Sequence, residues 1–517
     1  MNFCHTKLHC LSSLLSTNRP KLILLIFVPL YFLNLIMKLI NPLLILRILS
    51  TILLIETISF LFCLPVVFIY KESPYPFLWS AAITLILSAI FYLVSRDADK
   101  NKFSNRDGYL AVTLSWVIFS VLGTLPYLLS GTIPSFIDAF FESTSGFSTT
   151  GSSILKDVES LPFSILFWRS LTHWVGGIGI IMLVIMILPS LMVTGYQLFS
   201  LESSMKKKIH PKTKSIGFRV LFIYLGLTLA EIVLLNMGDM NLFDSICHSF
   251  GTVATGSFST KNNSLMFYSS YSQYIVMIFM FLAGTSQIIY YFMIKFNFKK
   301  IRQNEELWFY IGVVVMTGAI ATILLLVNST RTFEESFRDG FFQIISIITC
   351  TGFASSNYIL WPSTALLLIF IMMFAGGSTG STSGGIKMAR HLIVLKNIKN
   401  VFIKLNHPKS ITFIKLNGKS VAENTNISIL SFVVLYLFLF VLGTIIVVVT
   451  GVDPITASSS VATCMAGIGP GLGTVGPMSN FAHIPEAGKL TLIMLMILGR
   501  LEIITVFTIF TRNFWKL

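Results

Sequence analysis

Four short polar stretches, each closing on a glycine, interrupt an otherwise apolar chain at intervals of roughly a hundred residues. They are 145–151, 252–256, 349–352 and 465–469, and they end at Gly151, Gly256, Gly352 and Gly469. One aspartate stands upstream of each glycine, namely Asp138, Asp244, Asp339 and Asp453, at spacings of 13, 12, 13 and 16 residues. That gap suits a pore half-helix. An aspartate opening a short helix caps free N–H groups, and about ten residues at ~1.5 Å each reach half-way into a bilayer. The chain then turns back as an extended, threonine- and glycine-rich strand whose carbonyls can face an axis. A fourfold ring of carbonyls is how an ion filter replaces the water shell of a potassium ion.

Composition puts the chain in a membrane. With 54% hydrophobic and 11% charged residues and a mean hydropathy of +0.80, it is too apolar for a soluble protein of 517 residues. The formal charge of +15 does not point to nucleic acid, because the bases fall in alternate loops. Arg96, Lys100, Lys102 and Arg106 form one group; Lys206, Lys207, Lys208, Lys212 and Lys214 the next. Lys295, Lys299, Lys300 and Arg302 follow, and the last group runs from Lys387 to Lys419. This is the positive-inside pattern, and membrane lipid is the expected surround. The six cysteines, among them Cys4 and Cys10, lack ligand spacing and imply neither a disulfide framework nor a metal site.

Spans are expected over residues 43–70, 77–95, 109–129, 162–189, 216–237, 271–296, 307–327, 365–395, 427–450 and 488–510, each long enough for about 30 Å of hydrocarbon. The last eight group into four units of span, half-helix, strand and span. The organisation is therefore an N-terminal extension (1–38), two extra helices (39–108) and repeats at 109–205, 206–300, 301–400 and 401–517. Residues 22–37 form an apolar run with three open readings: a signal-peptide core, an additional span, or a segment upstream of a start at Met37, the last being favoured. The fold class is an all-α polytopic membrane protein, with four pseudo-fourfold membrane–pore-loop–membrane repeats like a K⁺ channel after the two extra helices.

The residues assigned to the ring are Thr149, Thr150, Gly151, Ala254, Thr255, Gly256, Cys350, Thr351, Gly352, Ile468 and Gly469. Glycine reaches backbone conformations closed to other residues, which turns consecutive carbonyls toward one axis. The threonine hydroxyls either supplement those carbonyls or bond the backbone behind them, the second role being preferred. Capping is preferred over direct ion contact for the aspartates. One span is broken: Gly376, Gly377, Ser378, Thr379, Gly380, Ser381, Thr382, Ser383, Gly384 and Gly385 cannot hold a straight helix. They make either a flexible loop outside the membrane or an intramembrane loop below the ring, hence a gate. Lys387 ends that loop and either transmits a pull or snorkels to headgroups. Arg500, close to Glu502 in the last span, is costly there unless it pairs or meets water.

Six ordered motifs resemble the Trk/Ktr/HKT superfamily of potassium transporters, and most closely its TrkH branch. They are residues 174–181 with 187–189, 224–228, 243–256, 380–387, 469–473 and 498–502. The resemblance, from about residue 43 to the C-terminus, implies four repeats around one axis, K⁺ as the transported ion at the glycine ring, a homodimer, and a cytosolic nucleotide-binding partner of the TrkA type. It implies a bacterial inner-membrane location and places Arg500 on the pathway near the third-repeat loop. Three departures bear on K⁺ over Na⁺ selectivity: Ala466-Gly467 where asparagines are common, Ser257 where a second glycine is usual, and Cys350 in place of a threonine. A Na⁺-permeable or ion-coupled symporter of the same fold is the alternative. No catalytic motif is present, and an enzyme or a bound cofactor is not expected.

Overall fold

The computed structural model describes residues 40–98, 104–182 and 210–516. The apolar run at 22–37, the end of the 162–189 span and the lysines at 206–208 lie outside the described residues. Two helices open the described fold, α1 (Pro42–Phe62), extended by α2 (Leu64–Ile69), and α3 (Tyr75–Val94). They meet along a polar seam: the Ser50 hydroxyl donates to the Ser88 carbonyl at 3.0 Å, and the Thr57 and Thr84 hydroxyls lie 2.9 Å apart. Hydroxyls satisfied this way let two helices approach closely in lipid.

Four successive groups of helices follow, each with one short helix between longer ones. The first comprises α4 (Asn105–Leu122) with α5 (Leu125–Leu129), the short helix α6 (Phe136–Phe147) and α7 (Phe163–Met182). The second comprises α8 (His210–Asn236), the short α9 (Leu242–Ala254), α10 (Ser270–Ala283) and α11 (Gln287–Ile294); a further turn, α12 (Phe298–Arg302), leads onward. In the third, α13 (Glu305–Asn328) precedes the short α14 (Phe333–Ile348), then α15 (Ser363–Met372) and α16 (Met388–Asn406). A two-residue hairpin, β1 (Lys415–Leu416) with β2 (Lys419–Ser420), leads to the last: α17 (Glu423–Val449), the short α18 (Pro454–Ala466), α19 (Glu486–Arg500) and α20 (Ile503–Phe510). Among the described residues, six helices are long and apolar enough to cross a membrane, or eight if each of two bent pairs counts as one span.

Those bent pairs correct two expectations. Residues 271–296 and 488–510 read as continuous spans, yet α10 and α11 meet at 95° and α19 and α20 at 110°. At the first break the Gly284 carbonyl accepts from Ser378 N–H at 2.9 Å, so a tertiary bond has replaced the helical one. At the second, Glu502 sits at a φ of 63°, a left-handed conformation that costs a non-glycine residue.

In the first and last groups the helix after the short one packs on its end by glycine contact. A Cβ on Gly176 of α7 would lie 2.0 Å from the Phe147 carbonyl oxygen, and one on Gly499 of α19 would lie 2.0 Å from that of Met465. Backbone cannot step aside as a flexible side chain can. Gly499→Ala is therefore expected to destabilise the folded protein by about 1–3 kcal/mol, read as a lowered thermal midpoint in detergent. Gly312→Ala, where nothing stands within 4 Å of the new methyl, serves as the control and should leave the midpoint unchanged.

Candidate ion pathway

The four short helices end alike. Thr150 N–H donates to the Ser145 carbonyl, Gly256 N–H to Gly251 and Thr351 N–H to Ser346, each at 2.9 Å, and Ile468 N–H to Thr463 at 3.0 Å. The residue before each donor is left-handed: Thr149 (φ 56°), Thr255 (φ 57°), Cys350 (φ 57°) and Gly467 (φ 74°). This shared five-residue bond fixes the register, and it brings Gly151, Ser257, Gly352 and Gly469 to equivalent places. The assignment of Gly256 to the ring is corrected by one residue. Gly256 is glycine for another reason: a Cβ there would lie 2.6 Å from the His173 ring.

These equivalent positions converge. A Cβ on Gly352 would fall 1.6 Å from the Ile468 carbonyl oxygen, and one on Gly469 would fall 2.7 Å from that of Thr150. Cβ atoms on Gly151 and Gly469 would lie 1.9 and 2.2 Å from the Ser257 hydroxyl. Thr150 Oγ1 bonds Ser148 Oγ at 2.7 Å and Thr351 Oγ1 bonds Thr349 Oγ1 at 2.8 Å. Thr255 Oγ1 donates to the Ala254 carbonyl, and Cys350 Sγ lies 3.9 Å from the Ile348 carbonyl. These side chains brace the turns from behind. His173 adds to the bracing, with Nδ1 2.7 Å from the Gly146 carbonyl and Nε2 accepting from Phe258 N–H at 3.1 Å. It thereby ties the first turn to the second.

Three of the four aspartates are not caps. Ser135, Asn241 and Thr332 cap α6, α9 and α14, because their side chains accept the N–H three residues on. Only Asp453 caps its helix, accepting from Thr456 N–H at 2.9 Å, and that bond holds its carboxyl below the usual carboxylate range. Asp244 and Asp339 instead anchor the strands leaving the turns. Thr260 Oγ1 donates to Asp244 at 2.5 Å and Ser355 Oγ to Asp339 at 2.9 Å. Asp138 pairs with Lys489 of α19 at 2.6 Å. In the first repeat the anchor is Glu142, which the sequence reading missed. It accepts from Ile154 N–H at 2.9 Å and from Ser153 Oγ at 3.0 Å, and it pairs with the buried Arg169 at 2.9 Å. A charge inside an apolar half-helix was the available signal.

Residues 376–385 pack beneath this convergence, mostly buried in protein and not as an exposed, flexible loop. Ser378, Thr379, Ser381, Thr382 and Ser383 are all nearly inaccessible. The loop's ends meet, since Gly376 N–H donates to the Ile386 carbonyl at 2.9 Å and Met388 N–H to that of Gly377 at 3.1 Å. Thr382 Oγ1 donates to the Val253 carbonyl at the end of α9 at 3.1 Å, and a Cβ on Gly384 would lie 2.0 Å from the Ala466 carbonyl oxygen ending α18. The loop therefore runs under two of the four short helices. Glu306 of α13 accepts from Thr379 N–H at 2.6 Å and Ala389 N–H at 3.0 Å, clasping both limbs. Lys387 folds back onto the loop, bonding the Ser383 carbonyl and its hydroxyl, so it does not snorkel.

Arg500 ties α19 to α7 and to the 376–385 loop at this level. It donates to the Thr382 carbonyl at 2.8 Å and to that of Gly176 at 3.3 Å. It has no carboxylate partner among the described residues, because Glu502 pairs with the buried Arg390 of α16. Arg390 also lies 3.8 Å over the Phe432 ring. No cluster of metal-ligating side chains occurs among the described residues.

A model of the TrkH family, described as a cation transport protein, matches residues 77–517. The chain belongs to the TrkH family. The Trk system potassium uptake protein TrkH of Salmonella typhimurium is 33% identical over 441 residues, 84% of this chain and 91% of the relative. The Trk system potassium uptake protein TrkI of Halomonas elongata is 34% identical over 413 residues, 79% of this chain and 84% of the relative. The crystal structure of the potassium transporter TrkH from Vibrio parahaemolyticus matches at a TM-score of 0.85 and 29% identity, covering 92% of this chain and 100% of that one. Like other TrkH-family members, this chain is an all-helical multi-pass membrane transporter and not an enzyme.

The Glu142–Arg169 pair supplies a test of the anchoring. Glu142→Gln strands a buried guanidinium and is expected to cost about 3–5 kcal/mol, whereas removing both charges with apolar residues of similar volume should restore only part of the stability, because Ile154 N–H and Ser153 Oγ lose their acceptor. Thermal unfolding of both variants in detergent measures the difference.

Proposed function

We propose that this chain is the membrane subunit of a bacterial potassium-uptake system and passes K⁺ along the axis on which its four turns converge. The convergence itself carries the reading: positions 151, 257, 352 and 469 approach so closely that three of them tolerate no Cβ. Main-chain oxygens brought that near one point can replace a potassium ion's water, and side-chain hydroxyls behind them fix their spacing. The C-terminal ends of four short helices add partial negative charge where a dehydrated cation would rest. The names of the relatives, potassium uptake proteins of Trk systems, support the choice of ion.

Below the ring, the 376–385 loop and Arg500 act as the gate. The loop crosses under α9 and α18, and a guanidinium without a carboxylate partner among the described residues repels a cation at short range. Flux then requires the loop and Arg500 to move together. Opening is controlled by a cytosolic TrkA-type nucleotide-binding subunit docked on the basic loops, and the membrane subunit works as a homodimer in the inner membrane. Both assignments rest on the family resemblance. The Na⁺-permeable or ion-coupled symporter remains as a second reading because a serine, Ser257, stands in the ring.

Uptake of ⁸⁶Rb⁺ into proteoliposomes with Na⁺ as competitor tests the proposal. Gly352→Ser should lose the preference for Rb⁺ over Na⁺ while remaining folded, since its new Cβ displaces the Ile468 carbonyl; undiminished preference counts against the ring. Arg500→Ala should raise basal flux. A fall in flux at normal expression would instead make the arginine a purely structural tie.

A further inference from the structure

Three of the four equivalent positions on the axis carry no side chain, and the fourth does. Cβ atoms built on Gly151 and Gly469 point at the Ser257 hydroxyl, and one on Gly352 would lie 2.9 Å from Ser257 Cβ. The Ser257 side chain thus stands where the other three turns converge. Its Oγ lies 3.2 Å from the Ile468 carbonyl oxygen and 3.4 Å from that of Thr150. Those two residues hold matching places in the fourth and first turns, directly before the ring. A hydroxyl carries one proton and here faces two acceptors. Three oxygens therefore crowd a single axial point with one proton among them.

We infer that Ser257 is a built-in competitor for the ion at the outer end of the pathway. Its hydroxyl engages the carbonyls of Ile468 and Thr150 that a dehydrated cation would need, and an arriving K⁺ must break that bond and turn Oγ aside. Room for the turn exists: Ser257 is half-buried and lines the open vestibule together with Gly151 and Gly352. The inference rests on the ring being the ion's path. It makes one side chain a determinant of ion affinity at a site otherwise built from backbone.

Calorimetric titration of the purified full chain in detergent with K⁺, in choline buffer, tests it without requiring the gate to open. Ser257→Gly should bind K⁺ about tenfold more tightly, the equivalent of one hydrogen bond no longer broken. Ser257→Ala, which keeps Cβ but loses the bond, should fall between Ser257→Gly and the unmodified protein. Ser257→Thr should bind no more tightly than the unmodified protein. Equal affinity of folded Ser257→Gly and unmodified protein overturns the competitor, and weaker binding by Ser257→Gly overturns it too, by making the hydroxyl a net ligand. Binding by none of the four proteins would sink the pore reading itself and the inference with it.

Discussion

Four lengths of backbone meet at one point in the molecule, and nearly everything around that point exists to permit the approach. Glycine is required at 151, 352 and 469 because the space a side chain would fill is already occupied by a neighbouring turn. The positive φ at these residues (83°, 81° and 99°) makes the same demand through conformation. A second layer of close contacts, at Gly176, Gly384 and Gly499, brings the surrounding segments onto the helix ends just beneath. Packing this tight transmits strain readily, so a change at one turn is felt at the others.

Irregular backbone at membrane depth has to find partners inside the protein. The 376–385 loop finds several of them in named groups: Glu306 for Thr379 N–H, Lys387 and Arg500 for carbonyls, and Ser383 for Gly377 N–H at 2.9 Å. Carboxylates do the same for the strands on the opposite side of the ring. Asp244 and Asp339 each hold a hydroxyl 16 residues downstream, and Glu142 holds a hydroxyl and an N–H 11 and 12 residues downstream. One design recurs with different residues in different repeats.

The sequence made the short helices, their turns, most spans and the glycine-rich break legible, because local spacing and apolar length determine those features. It did not reveal the register of the second turn. Gly256 and Ser257 are adjacent small residues, and the bond from Gly256 N–H to the Gly251 carbonyl, together with the contact of Gly256 with His173, decides which one faces the other turns. The breaks after Ala283 and Arg500 were hidden for a similar reason. Their flanks are uniformly apolar, and each bend is imposed by a distant partner, Ser378 in one case and Arg390 through Glu502 in the other. Asp138 and Asp244 misled because an acid in the first turn of a helix resembles a cap in sequence, while Ser135 and Asn241 hold that place; Asp339 lies a turn further into α14, which Thr332 caps.

Arg500 grips the loop through carbonyl oxygens rather than a carboxylate. Each such bond is worth roughly 1.5–3 kcal/mol, so freeing both costs on the order of 3–6 kcal/mol, with no opposite charge abandoned in the low-dielectric interior. An ion pair there would have welded the two segments together. A neutral acceptor makes a tie that can part without leaving a bare charge behind.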